Sequence, residues 1–360
     1  MSISCLVYGG IATIIKPRYL SCLIIVSLCI FLGFSIFNLN TDPSIINHFT
    51  KGSEVRKAML ALDKNGGSST LRLILSHPRF GPLDNDAAFN AMYSLHTKLA
   101  NHKDVGAVVS LPLLMKESKR SHWITKFLSW DKMLDILSGD SHQNVASRFM
   151  TRDRRHALFI LRMKESGHNK PKAEIIKSIE EIVNRCGFKI DRKGGPYSLQ
   201  SRLAILVRSS LYQSLFWLLI PFSIVALLVS RSMITSYTMI FSIVLIGLGA
   251  LGSLCFTGAA LDTISSPAVI VCLLLAMDIM IHMVVAIRQN NVDEQFNPVI
   301  SITLITSLSF ATLCFSQFTP MQHFGMIMVI GMVLTGLMTL IVAPSIISKY
   351  VTDLNILAKI

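Results

Sequence analysis

Apolar positions along this chain gather into six long runs: Leu20–Phe37, Leu211–Val229, Ser236–Phe256, Ile264–Ile287, Val299–Phe318 and Phe324–Ile347. Asp278 is the one acidic residue inside them, and none contains Lys or Arg. A bilayer core calls for about 20 apolar residues per helix. The pattern therefore predicts six transmembrane helices, one before and five after a long polar segment. The first run is too long for a signal peptide and leaves through Ser35-Ile36-Phe37-Asn38-Leu39 with no Ala-x-Ala-like site, so it reads as an uncleaved span.

The polar segment has its own periodicity. In Thr70–Ser76, Leu71, Leu73 and Leu75 alternate with polar or exposed positions such as Arg72, the mark of a half-buried strand. Asp84–His102 reads as a helix capped by Asp84, and Val105–Leu111 as a strand. His156–Met163 reads as a second apolar strand, Pro171–Cys186 as a helix with Pro at its start, and Phe188–Arg192 as a short strand. Two strand–helix–strand units predict a small α+β domain of split βαβ, ferredoxin-like type. Between them Trp123, Phe127, Trp130, Leu134 and Leu137 recur at helical spacing. That stripe reads as core, as a membrane contact, or as a lining for an apolar substrate. Ser198–Ser210 runs straight into the second span, which would couple this domain rigidly to a membrane helix, and Pro221 inside that span is a candidate kink.

Basic residues set the expected orientation. Lys16 and Arg18 precede span 1, Arg231 lies between spans 2 and 3, Arg288 between spans 4 and 5, and Lys349 and Lys359 in the tail. The loops around Thr257–Thr263 and Thr319–His323 have neither Lys nor Arg. Both termini are then cytoplasmic, in a multi-pass cytoplasmic (inner) membrane protein. The expected division is residues 1–37 for the N-terminal segment and first span, 38–210 for the extracytoplasmic domain, 211–347 for the five-span bundle, and 348–360 for a cytoplasmic tail.

Composition adds to this. The chain of 360 residues is 51% hydrophobic and only 15% charged, against about 25% charged in soluble domains. Its net charge of +13 sits almost wholly in residues 38–210, where 28 Lys and Arg face 16 Asp and Glu, a net of +12. Such a surface reads either as solubility beside a membrane or as attraction to anionic lipid head groups, at about 1 kcal/mol per basic residue near the surface. No nucleic-acid recognition motif occurs. Of seven cysteines only Cys186 lies in a polar region, so no disulfide is expected within the extracytoplasmic domain. Neither a P-loop, nor His-Glu-x-x-His, nor Cys-x-x-Cys, nor Gly-x-Ser-x-Gly is present. The sequence thus predicts no enzyme, no metal site and no cofactor.

The chemistry concentrates in span 4, at Asp278-Ile279-Met280-Ile281-His282. Asp278 lies 14 residues after Ile264, about 21 Å along the helix. An intramembrane Asp costs at least about 2.5–3.5 kcal/mol, and His282, four residues on, shares its helix face. A carboxylate and an imidazole so placed can take up and release a proton. The alternative is a hydrogen-bonded clamp to Ser or Thr of a neighbouring helix. Thr303, Thr306 and Ser307 of span 5 are possible partners on either reading.

The order of span, α+β domain and five spans with an Asp in the fourth resembles one half of a transporter of the RND superfamily, most closely the MMPL-like predicted exporters. The motifs that carry this resemblance are Lys16-Pro17-Arg18, Gly194-Gly195-Pro196-Tyr197-Ser198-Leu199-Gln200, Ala276-Met277-Asp278-Ile279, Phe315 to Gly325, and Ala343-Pro344. The resemblance implies export of a lipid or other hydrophobic molecule, driven by proton influx at Asp278, with the proton gradient as sole energy source. Implied partners are membrane lipids, the substrate, and a second copy or a sister half. Three positions depart from the family pattern: Ile279 replaces a Tyr, Ala276 a Gly, and Ser309 a Gly. The family also usually has two such halves, so a natural half, a truncation and a degenerate product all stay open. A non-transporting lipid sensor or scaffold on the same fold is the alternative function.

Overall fold

The computed structural model describes residues 18–42, 44–121, 129–138, 145–167, 170–289 and 291–347. The chain divides into two compact units: Ser44–Ala204, and Met1–Pro43 together with Ile205–Ile360. Helix α1 (Arg18–Phe34) belongs to the second, helical unit. The α+β unit follows with α2 (Glu54–Lys64), β1 (Ser69–Ser76), α3 (Asp86–Ala100), β2 (Val105–Val109), α4 (Leu111–Ser121) and α5 (Trp130–Ser138). It continues with α6 (Val145–Phe149), β3 (Ala157–Met163), α7 (Lys172–Arg185) and β4 (Lys189–Gly194). Helix α8 (Pro196–Ser230) begins in this unit and ends in the other. The helical unit is completed by α9 (Met233–Phe256), α10 (Pro267–Arg288), α11 (Val292–Ala311) and α12 (Thr319–Leu337), with a π turn at Met338–Val342.

In the α+β unit the strands form one antiparallel sheet in the order β2-β3-β1-β4. Leu71 pairs with Leu161 and Leu73 with Phe159, so alternate residues of the two central strands share one face, and all four are fully buried. Side chains from α3 (Met92, Leu95, Leu99) and α7 (Ile175, Ile179, Val183) complete that core. The helix expected to be capped by Asp84 is instead capped by Asn85, whose side chain accepts from Ala88 N at 2.7 Å. Helix α2 was not legible in the sequence; Ser53 caps it by accepting from Arg56 N.

Six helices are long and apolar enough to cross a membrane: Leu20–Phe37, Pro196–Ser230, Met233–Phe256, Pro267–Arg288, Val292–Phe315 and Thr319–Ile347. Each overlaps one of the runs read from the sequence. Helices α9, α10 and α12 are the most enclosed, and α1 packs against α9. The closest approach falls at Gly252, where a Cβ would sit 1.9 Å from Leu32 O. Only glycine lets the two backbones meet there.

Hydrogen bonds gather the helix ends into two groups. At one end Arg208 Nη2 donates to Leu39 O (2.9 Å), Leu261 N donates to Asn40 O (2.8 Å), and His323 Nδ1 lies 3.1 Å from Ala260 O. At the other, Arg288 Nη1 donates to Val229 O at 2.7 Å. Segments that alternate along the chain therefore meet at alternate ends of the bundle, as six successive crossings require.

Candidate functional site

Helix α10 is apolar almost throughout, and its packing is set by which residues face the neighbouring helices. Cys272, Ala276, Met280 and Met283 are fully buried, with Leu273, Met277, Ile279, Val284 and Ile287 at 3–4% exposure or less. What remains uncovered is a narrow stripe of Leu274, Asp278, His282 and Val285, at successive spacings of four, four and three residues. That spacing keeps the four on one helix face.

Asp278 and His282 come together on this stripe, with His282 Nε2 3.8 Å from Asp278 Oδ1. Their side chains are 72% and 64% exposed. The carboxylate is on the flank of the single chain, because every other face of α10 is occupied by apolar contacts. Ile279 and Ala276, two of the three departures from the family pattern, are both buried.

The span-five hydroxyls are elsewhere. Thr303 and Ser307 are buried on the inner side of α11, and Thr306 is half-buried. A Cβ at Gly336 of α12 would lie 2.9 Å from Thr303 Cγ2, which locates Thr303 against that helix. No hydrogen bond joins any of the three to Asp278 or His282. The hydroxyls of Thr303 and Ser307 are buried without a hydrogen-bond partner, as are those of Ser242 and Thr339.

The aromatic stripe of the polar segment resolves in part. Trp130 is fully buried, and its indole Nε1 donates to Leu83 O at 2.7 Å. It is a core residue of the α+β unit. Met133 and Leu134 are buried beside it, so the helical spacing marks a core face. Trp123 and Phe127 lie outside the described residues.

Two buried polar clusters escaped the sequence reading. Asp63, 1% exposed, accepts from the Ser68 and Glu165 amides at 3.1 and 2.7 Å, from Ser166 N at 2.9 Å, and from the hydroxyls of Ser68 and Ser166. Glu165, whose amide donates to Asp63, forms an ion pair with Lys172 (3.3 Å), both side chains being at most 1% exposed. Lys172 Nζ stands 5.8 Å from the ring centre of Tyr197 on the first turn of α8. Gly195 just ahead holds φ +93°, with Thr70 O 2.5 Å from where a Cβ would be. Nothing in the local sequence distinguishes these carboxylates from surface ones, and two of the residues that donate to Asp63, Glu165 and Ser166, lie 102 and 103 residues further along the chain.

A family model, described as the MMPL family, matches residues 49–281. The match spans more than half of the chain and takes in the α+β unit, α8, α9 and α10 as far as Ile281, Asp278 included. The chain belongs to the MMPL family and is a multi-pass, transporter-like membrane protein of the RND superfamily. A search of curated proteins found no match.

Proposed function

We propose that this chain is a proton-driven half-transporter that exports a lipid or another hydrophobic molecule. The observation that carries this reading is the Asp278–His282 pair, 3.8 Å apart on one face of an otherwise apolar span. An Asp facing hydrocarbon costs at least about 2.5–3.5 kcal/mol, so the stripe calls for a cover. A second six-span unit, another copy or a sister half, supplies it and closes a seam in which the pair loads and releases a proton. One charge crossing 100 mV supplies about 2.3 kcal/mol, enough to bias a two-state element appreciably. Helix α8 then carries the motion to the α+β unit, which handles the substrate. We read that unit as a ferredoxin-like, porter-type domain on its strand order, and place it outside the cytoplasmic membrane with both termini inside. The buried Ile279, where the family has a Tyr, instead favours the second reading of a lipid sensor or scaffold.

The test is substrate efflux, or complementation of an export defect, with membrane protein level as control. Asp278→Asn keeps size and hydrogen bonding but cannot ionise near neutral pH; it should abolish transport at normal expression. His282→Ala should be milder, since His282 tunes the pair. A purely structural clamp predicts the opposite, with Asn tolerated and Asp278→Leu damaging assembly. Full activity of Asp278→Asn overturns the proton-carrier assignment and favours the sensor or scaffold.

A further inference from the structure

The α+β unit contains an open cleft of about 510 Å³, within the range of small-ligand sites. Its walls come from three elements: Glu180 and Asn184 of α7, Lys189 to Lys193 of β4, and Arg202 of α8. Four of these residues are cations and two are acids. Both acids are answered locally. Glu180 pairs with Lys193, and Asp191 Oδ2 lies 3.7 Å from His156 Nε2. Among the described residues no ion pair or hydrogen bond engages the side chains of Lys189, Arg192 or Arg202. The cleft therefore presents an unbalanced positive charge, with Arg192 and Arg202 among the residues that line it.

Two guanidinium groups from different elements suit an oxyanion, because each planar fork can give two parallel N–H bonds to a phosphate. A simpler role exists for the strand alone. Strand β4 is a sheet edge, and charged residues on edges discourage strand-to-strand aggregation. That role does not explain Arg202, which comes from a helix and converges on the same space. Along α8, Arg202 is nine residues ahead of Leu211, where the apolar run begins.

We propose that this cleft binds an anionic phosphate ester, presented as the headgroup of an anionic phospholipid. The proposal does not depend on whether Asp278 carries a proton.

The full chain in lipid nanodiscs, with the photo-crosslinker benzoylphenylalanine in place of Asn184, tests it. Discs of phosphatidylcholine alone are compared with discs that also contain phosphatidylglycerol, and adducts are identified by mass. The phosphatidylglycerol adduct should exceed the phosphatidylcholine adduct at least about tenfold, since both headgroups carry a phosphate but only phosphatidylcholine adds a cation, which cancels its attraction to the basic residues. It should fall to the phosphatidylcholine level in Arg192→Gln/Arg202→Gln and persist in Arg192→Lys/Arg202→Lys. Raising the salt concentration on the unaltered chain should also weaken it, a readout that needs no variant to fold. In a second arm, glycerol 1-phosphate is titrated calorimetrically into the chain in phosphatidylcholine discs. Heat that is lost in the Gln variant, without a lipid adduct, retains the phosphate chemistry and assigns a soluble source. Equal adducts in the two discs, an adduct unchanged by the Gln variant and by salt, or silence in both arms overturns the proposal and leaves these charges as guards of the edge strand.

Discussion

Two carboxylates in this chain meet opposite fates. Asp63 is enclosed and has donors on both oxygens; Asp278 stands on an uncovered face with one imidazole nearby. For Asp63, burial pushes the carboxyl up, but hydrogen bonds from the Ser166 and Ser68 hydroxyls and from the Glu165 and Ser166 amides outweigh it and hold it below its ordinary value. A lowered folded value means the stabilisation is complete above the unfolded carboxylate range, about 3.9. It is lost as pH falls through the lower folded value. Asp63→Asn should therefore cost about 2 kcal/mol at neutral pH, since one acceptor oxygen is replaced by a donor facing donors. The gap between the two proteins should narrow as the pH drops below about 4. Thermal unfolding followed by near-ultraviolet circular dichroism, to which the buried Trp130 contributes, measures both. A gap independent of pH would show that the charge of Asp63 is not what the cage holds.

At the scale of elements, the helices and strands whose apolar period was strong were legible. The alternation in β1 and β3 gave both the strands and their buried faces, and the run lengths gave all six long helices. Some short helices, α2 and α6 among them, were not. Helix α2 has one buried residue, Asp63, so no apolar stripe announced it. The rotation of α10 was also hidden. In a helix apolar on nearly every side, composition cannot say which face meets its neighbours and which is left over, and Asp278 fell on the remaining one. Glycines in the spans, Gly252 among them, suit close helix packing, but the sequence does not say which neighbour each one meets. Gly252→Ala should sharply lower the monodisperse fraction in detergent, measured by size-exclusion chromatography, since its Cβ would overlap Leu32 O and backbone has nowhere to retreat. Gly81→Ala, with nothing within 4 Å of its new Cβ, should leave that fraction unchanged. Equal behaviour of the two would refute the close approach of α1 and α9.

For the whole molecule, the grouping of helix ends requires that residues on the segments joined to Asn40, Leu261 and His323 share one side of the membrane, and that Arg231 and Arg288 share the other. On the proposed orientation, in which the basic loops face the cytoplasm, the latter two lie inside. A cysteine at Lys116 should then react with an impermeant maleimide in intact cells lacking the native cysteines, and a cysteine at Gln289 only after permeabilisation. Reaction of both from outside would refute the orientation.

The three contacts at the first of those ends share a property with an evolutionary consequence. Their acceptors are all main-chain carbonyls, of Leu39, Asn40 and Ala260, while two of the donors are the side chains of Arg208 and His323. A carbonyl is offered by every residue type. Substitution at the three accepting positions can drift without unpicking this rim, whereas Arg208 and His323 are constrained individually. Of these three contacts, only those of Arg208 and His323 depend on the identity of a side chain.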